Sequence, residues 1–165
     1  FASIEKFHFY NDVIIETKDE ILSSDTLYYW LENEYAVFQS NGSIKNTKIY
    51  VKAQYGWVNQ KKGEAFLNKN VQITNLENNS ILRADTSFLF NEMNHSISYG
   101  NTLLSMPMNE DTLYLTADTL FQQKKPEGNL LEASPRANFK NINMVGFCDS
   151  LSYSTKKENL FLNQR

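Results

Sequence analysis

Four aspartates, Asp25, Asp85, Asp118 and Asp149, stand in one recurring setting: a small residue or Cys before, Thr or Ser after, then an apolar-rich run. Carboxylates at one register could ligate a cation, or divide acid and base roles between a pair. That chemistry needs unlike residues that converge once, whereas here the same residue returns in every copy. A structural role fits better, because an Asp ahead of Thr or Ser at the start of a strand caps a turn through its own side chain. His8 and His95 are isolated, and no cluster of His, Cys and acidic residues has metal-ligand spacing. Gly-x-Ser-x-Gly, P-loop and dinucleotide fingerprints are absent from the sequence. Cys148 has no His near it in sequence and reads as a small buried hydrophobe. The expectation is a non-enzyme with no catalytic residue, no metal and no cofactor.

The aspartates instead mark a repeat. Asp25 to Asp85 is 60 residues, Asp85 to Asp118 is 33 and Asp118 to Asp149 is 31, so a further copy belongs near position 55, where Gln54-Tyr55-Gly56-Trp57-Val58 stands. Eleven residues after the first three anchors in chain order come Ala36, Ala65 and Ser96, each opening a short apolar-rich run. A period of about thirty residues signals stacked units, none able to bury its apolar face alone.

Composition bounds the class. The chain has 165 residues, 41% hydrophobic and 13% aromatic, with net charge −3. That is one domain's worth, too apolar to be disordered. No basic block supports nucleic-acid binding. One Cys leaves the compartment undecided, and no apolar run is long enough for a membrane-spanning helix. The chain opens on Phe1 rather than Met, so residues 1–165 are read as a single domain, a fragment of a longer protein.

Short runs rich in Val, Ile, Phe, Tyr and Thr recur every eight to twelve residues, the spacing of an all-β fold. Strands are predicted at 4–9, 13–17, 21–22, 26–30, 35–39, 43–53, 56–59, 64–67, 71–75, 81–90, 96–99, 112–116, 119–122, 141–145, 150–154 and 159–163. Asn41-Gly42 is the strongest hairpin candidate, since a type I′ turn needs φ > 0 twice. Asn91-Glu92 and Lys156-Lys157 are further turn candidates. Residues 123–137, with Pro126, Gly128 and Pro135, read as the longest loop. Strand parity puts the second and fourth residues after each anchor on one face. Those are Leu27, Gly56, Ser87, Leu120 and Leu151, then Tyr29, Val58, Leu89, Gln122 and Tyr153. The mainly apolar content of this face makes it the inner one.

The Asp-Thr-Leu-x-Tyr units, preceded by Val13-Ile14-Ile15 and Val71-Gln72-Ile73, resemble the OstA-like (LptA) family, which contains the periplasmic bridge of lipopolysaccharide transport. Residues 24–38, 111–120 and 148–153 look like the OstA-like proteins of Bacteroidetes. The resemblance implies an antiparallel β-jelly roll opened into a twisted half-pipe, in the periplasm. It implies that Leu27, Tyr29, Val58, Leu89, Leu120, Leu151 and Tyr153, faced by Val13, Ile15, Val71 and Ile73, line a groove for the acyl chains of lipopolysaccharide. The implied partners are that lipid and other half-pipe proteins, or copies of this chain, joined through edge strands. Gln54, Gly56, Ser87 and Gln122 depart from the pattern and interrupt the groove. A structural module with a filled core, working through its sheet edges, is the alternative.

Overall fold

The computed structural model describes residues 6–90, 94–108, 111–124, 128–154 and 159–163. The predicted turns Asn91-Glu92 and Lys156-Lys157, and Pro126, lie outside that set. The strands are β1 Lys6–Glu16, β2 Ile21–Trp30, β3 Tyr35–Lys45, β4 Ile49–Asn59, β5 Glu64–Asn75, β6 Ile81–Phe90, β7 His95–Met108, β8 Asp111–Gln123, β9 Leu130–Ser134, β10 Ala137–Lys140, β11 Val145–Cys148, β12 Ser150–Ser154 and β13 Asn159–Asn163. All belong to one unclosed antiparallel sheet. β1 to β8 form a meander, followed by β9, β12 and β13, while β10 pairs with β8 and β11.

Each strand from β1 to β8 bends in the middle. Every pairing from β1–β2 to β7–β8 shifts register once, at Tyr10/Val13, Ser23/Thr26, Gln39/Gly42, Lys52/Tyr55, Asn68/Val71, Arg83/Thr86 and Tyr99/Thr102. Bulges in line fold the sheet over on itself. One wall holds the limbs that follow the repeated anchors (26–30, 55–59, 86–90, 119–123) and their neighbours. The other holds 13–16, 21–24, 42–45, 49–52, 71–75, 81–83, 102–108 and 111–117. β9 and β10 are two limbs of one bent strand, as are β11 and β12. The result is a half-pipe with a spine of corners along one side and a mouth along the other.

The corners account for the repeat. On the odd strands the bend falls on left-handed residues: Asn11 and Asp12, Ser40 and Asn41, Lys69 and Asn70, Gly100 and Asn101. Arg136 has the same conformation between β9 and β10, with φ 58°. On the even strands the bend falls on Asp25, Gln54, Asp85 and Asp118. Asp25, Asp85 and Asp118 do not cap their own turns, as the sequence suggests; each reaches to the next strand's corner. Asn41 Nδ2 donates to Asp25 at 2.7 Å and Asn101 Nδ2 to Asp85 at 2.8 Å. Arg136 Nη2 meets both Asp118 oxygens, at 2.7 and 2.8 Å. Asp85 and Asp118 sit two strands apart, roughly 10 Å at sheet spacing, too far to share a proton. The bond to Asp85 is exposed, so Asp85→Ala is expected to lower unfolding free energy by about 0.5–1.5 kcal/mol in denaturant titration. Asp85→Asn keeps an acceptor oxygen and should cost less.

Four further sequence expectations change. Asn41-Gly42 lies at a corner inside β3, not in a hairpin turn, because the left-handed pair is Ser40-Asn41 and it makes a bulge rather than a reversal. Strand 43–53 is split by a turn in which Asn46 Oδ1 accepts the Lys48 and Ile49 amides, at 2.8 and 2.9 Å. Residues 141–144 likewise form a turn around the Asn141 side chain, before β11. The supposed loop 123–137 contains β9, and Pro135 sits at a corner, where a missing N–H costs the ladder nothing.

The outer face of the anchor wall carries a ladder of rings. Tyr28, Trp30, Tyr35, Trp57, Phe66 and Phe88 run from strand to strand with neighbouring centroids 4.8–6.4 Å apart. Cross-strand aromatic pairs of this kind pin sheet register.

Candidate functional site

The inner face is built from rows that cross the sheet. On the anchor wall one row runs Leu27, Phe38, Gly56, Leu67, Ser87, Ser98, Leu120, Ala133, Leu151. The next runs Tyr29, Ala36, Val58, Ala65, Leu89, Ser96, Gln122, Leu131, Tyr153 along the same pairings. The facing wall supplies Ile15, Leu22, Ile44, Val51, Ile73, Leu82, Leu104 and Leu115.

The eleven residues expected to line the groove, seven from the repeat and four from the resemblance, all lie on this inner face. Leu27, Val58, Leu89, Leu120, Leu151, Val13 and Val71 are buried, and Tyr29, Tyr153, Ile15 and Ile73 are half-buried and packed against the core. The gaps expected in the row are filled. The Phe38 ring, fully buried, occupies the space over Gly56 and over Gly42: a Cβ on Gly56 would sit 2.5 Å from Phe38 Cζ, and one on Gly42 1.9 Å from Cδ2. Ser87 and Ser98 share a buried hydroxyl hydrogen bond of 2.7 Å. Phe38, Leu82, Leu104 and Leu131 were not singled out from the repeat. The signal for Phe38 was present, since Ala36-Val37-Phe38 is the run eleven residues after Asp25.

Most of the interior is closed. One core cluster spans β1–β6 and a second spans β6–β12; Ile73 packs against both. Where the two meet, the mouth opens into a cleft of about 150 Å³. Its floor is Ile49, Ile73, Leu82, Leu89, Leu104 and Leu131, and its rim is made of carboxamide side chains with Lys124. Of the eleven predicted residues only Ile73 and Leu89 line it.

Lys124–Glu77 and Gln60–Glu20 cross the mouth from wall to wall among the described residues. Lys124 Nζ meets Glu77 Oε2 at 2.9 Å beside the cleft, and the bond from Lys124 holds the Glu77 carboxyl below its ordinary range. Further along, Gln60 Nε2 donates to Glu20 Oε2 at 2.8 Å, and Tyr29 Oη donates to Gln60 Oε1 at 3.5 Å. Burial raises the Glu20 carboxyl above 4.5, against a smaller lowering by the Gln60 bond. A raised folded-state pKa means that the folded chain holds this proton more tightly than the unfolded chain. Stability from Glu20 is therefore fully present below about 4.5 and is lost as pH rises through the folded value. Glu20→Gln should raise the melting temperature at pH 7 and leave it unchanged near pH 3, as thermal melts across that range would read.

Among the described residues no group of three His, Cys, Asp or Glu side chains could hold a metal. The Cys148 thiol is buried, and burial followed by the Asp149 charge pushes its pKa up, the opposite of a reactive thiolate.

No protein-family model matches the sequence, and no curated protein matches it. Among solved structures the chain is similar to LptH of Pseudomonas aeruginosa, described as the LptA-homologous periplasmic component of the conserved lipopolysaccharide transport device. Identity is 16%, the TM-score is 0.61, and the match covers 71% of this chain and 82% of LptH. At that identity the likeness is one of fold, and the chain folds as an LptA-type half-pipe, the architecture that the OstA-like repeat implies.

Proposed function

We propose that this chain is a non-enzymatic, periplasmic lipid conduit that passes lipopolysaccharide along the half-pipe, with acyl chains between its walls. The observation that carries this reading is the apolar cleft between two aliphatic clusters, opening through the mouth of an LptA-type fold. An acyl chain gains about 0.8 kcal/mol per CH₂ removed from water, with no charged contact needed. The cleft is smaller than the roughly 300–1,000 Å³ of a ligand pocket, so loading requires the walls to part, with the corners as the hinge and the two mouth contacts as the clasps. Leu27, Tyr29, Val58, Leu120, Leu151 and Tyr153, with Val13, Ile15 and Val71, become groove lining as that opening spreads from Ile73 and Leu89.

Partners follow from the ends. Among the described residues β1, β11 and β13 each pair on one side only. The inner rows end there on exposed Phe7, Phe9 and Leu162. Another half-pipe protein, or a second copy of this chain, would extend the sheet and cover them. The closed packing of Leu27, Phe38, Ile44 and Leu67 favours the second reading, a structural module with a filled core. A photo-crosslinking side chain separates the two. Placed at position 89 it should capture lipopolysaccharide, while the same group at outward Thr86 should not. Capture from neither position would leave the structural module.

A further inference from the structure

We infer that the rim of the cleft selects an amphiphile by an uncharged, oxygen-rich head, the hydroxyls and acyl carbonyls of an acylated sugar, in preference to a phosphate. This deepens the conduit reading and rests on it. The rim over the Ile73–Leu89 floor is lined by Asn75, Asn78, Asn94, Gln122, Gln123 and Asn129. Carboxamides come here from both walls and from turns distant in sequence, so the rim is not the by-product of a single turn.

Three of these amides are oriented. Asn75 Oδ1 accepts the Glu77 amide at 2.8 Å, and Asn78 Oδ1 accepts the Ser80 amide at 3.0 Å. Gln122 Oε1 accepts from Ser96 Oγ at 3.4 Å. With the oxygens engaged, the NH₂ ends of Asn75, Asn78 and Gln122 are left as donors, and they bond no other described residue. Neutral donors held in place above an apolar floor fit oxygen acceptors attached to an alkyl chain.

Charge at the rim argues against phosphate. Among the described residues Lys124 is the one charged residue lining the cleft, and its ammonium is taken by Glu77 at 2.9 Å. Lys48, outside the lining, acts on the same carboxylate. A phosphate entering here would have to displace Glu77 from Lys124, or lie beside a carboxylate with neutral donors alone. An uncharged head keeps the Lys124–Glu77 contact intact and still fills the amide donors.

Dodecyl maltoside and dodecyl phosphate test this, because they share an alkyl chain and differ in the head. Both are titrated into the full chain by calorimetry, below their micelle concentrations and at low and high salt. The maltoside should bind about tenfold tighter, the factor that one or two neutral hydrogen bonds supply. Repulsion from the protein's net negative charge would fade with salt, whereas a preference set by the rim would persist. The double variant Asn78→Ala, Gln122→Leu should lose that preference while still binding the alkyl chain. Equal or tighter phosphate binding, or phosphate binding that Lys124→Gln abolishes, overturns the inference and leaves the conduit standing. Binding of neither amphiphile overturns both.

Discussion

Phe38→Ala is expected to cost about 3–5 kcal/mol of unfolding free energy, the range for truncating a fully buried Phe. The ring sits between two glycines on different strands, Gly42 in β3 and Gly56 in β4. Its loss leaves a void that neither glycine can fill. Gly42→Ala is expected to cost about 1–3 kcal/mol, the usual range for overpacking, because its Cβ would lie 1.9 Å from the ring and its three nearest atoms all belong to Phe38. Combining the two should recover part of that cost, with a coupling of about 0.5–3 kcal/mol in a double-mutant cycle. Gly56→Ala should show less rescue, because its Cβ would also meet the Phe66 carbonyl oxygen at 2.5 Å, and backbone does not move aside. Urea titration of the three single and two double variants measures all of this. Additive losses for the Phe38/Gly42 pair would mean that the ring does not occupy the space over Gly42.

How far the fold was legible depends on which force sets each feature. The all-β class and the inward face of Leu27, Val58, Leu89, Leu120 and Leu151 follow from parity, which needs no knowledge of pairing partners. The repeated Asp was visible, but its role was not. A capping bond is local, whereas Asp25 and Asp85 bond to Asn41 and Asn101 sixteen residues on. That distance is set by the length of a hairpin, and a single sequence does not print it. Asn41-Gly42 misled for a related reason: the left-handed pair is Ser40-Asn41, one residue earlier, and such a pair serves a hairpin turn or a bulge equally well until the register of β2 and β4 decides. β9 was hidden by Pro126, Gly128 and Pro135, which read as a loop until pairing with β8 and β12 places Leu131 and Ala133 in the core. The cleft was the least legible. It lies where the two clusters meet at Ile73, and its rim amides come from four separate turns and strand ends that carry no shared motif.

Leu89→Asp is expected to produce the largest change in both stability and lipid binding. Leu89 is 2% exposed, sits at the edge of the first core cluster and forms part of the cleft floor. A carboxylate there would be buried with Ala65 on one side and the Ser96 hydroxyl, already given to Gln122, on the other, and burying an unpaired charge drives its pKa up rather than letting it ionise freely. The loss of the aliphatic side chain alone is worth about 2–5 kcal/mol, so the variant should melt far below the parent at pH 7. It should regain part of that difference as pH falls and the introduced carboxyl takes up its proton. Lipopolysaccharide binding by whatever fraction remains folded should drop more than about tenfold, since each buried CH₂ that loses its apolar partner forfeits part of roughly 0.8 kcal/mol. Thr86→Asp is the control on the same strand. Thr86 faces outward, half-buried, and its hydroxyl accepts from Asn68 Nδ2 at 2.8 Å. That change should cost about 1 kcal/mol at most, the price of one part-exposed bond, and leave lipid binding intact. Leu89→Met, which conserves volume and polarity, should fold and bind like the parent. Normal binding by folded Leu89→Asp would place the acyl chains outside the half-pipe, and loss of binding in both Leu89→Met and Thr86→Asp would mean that the strand responds as a whole rather than through the cleft.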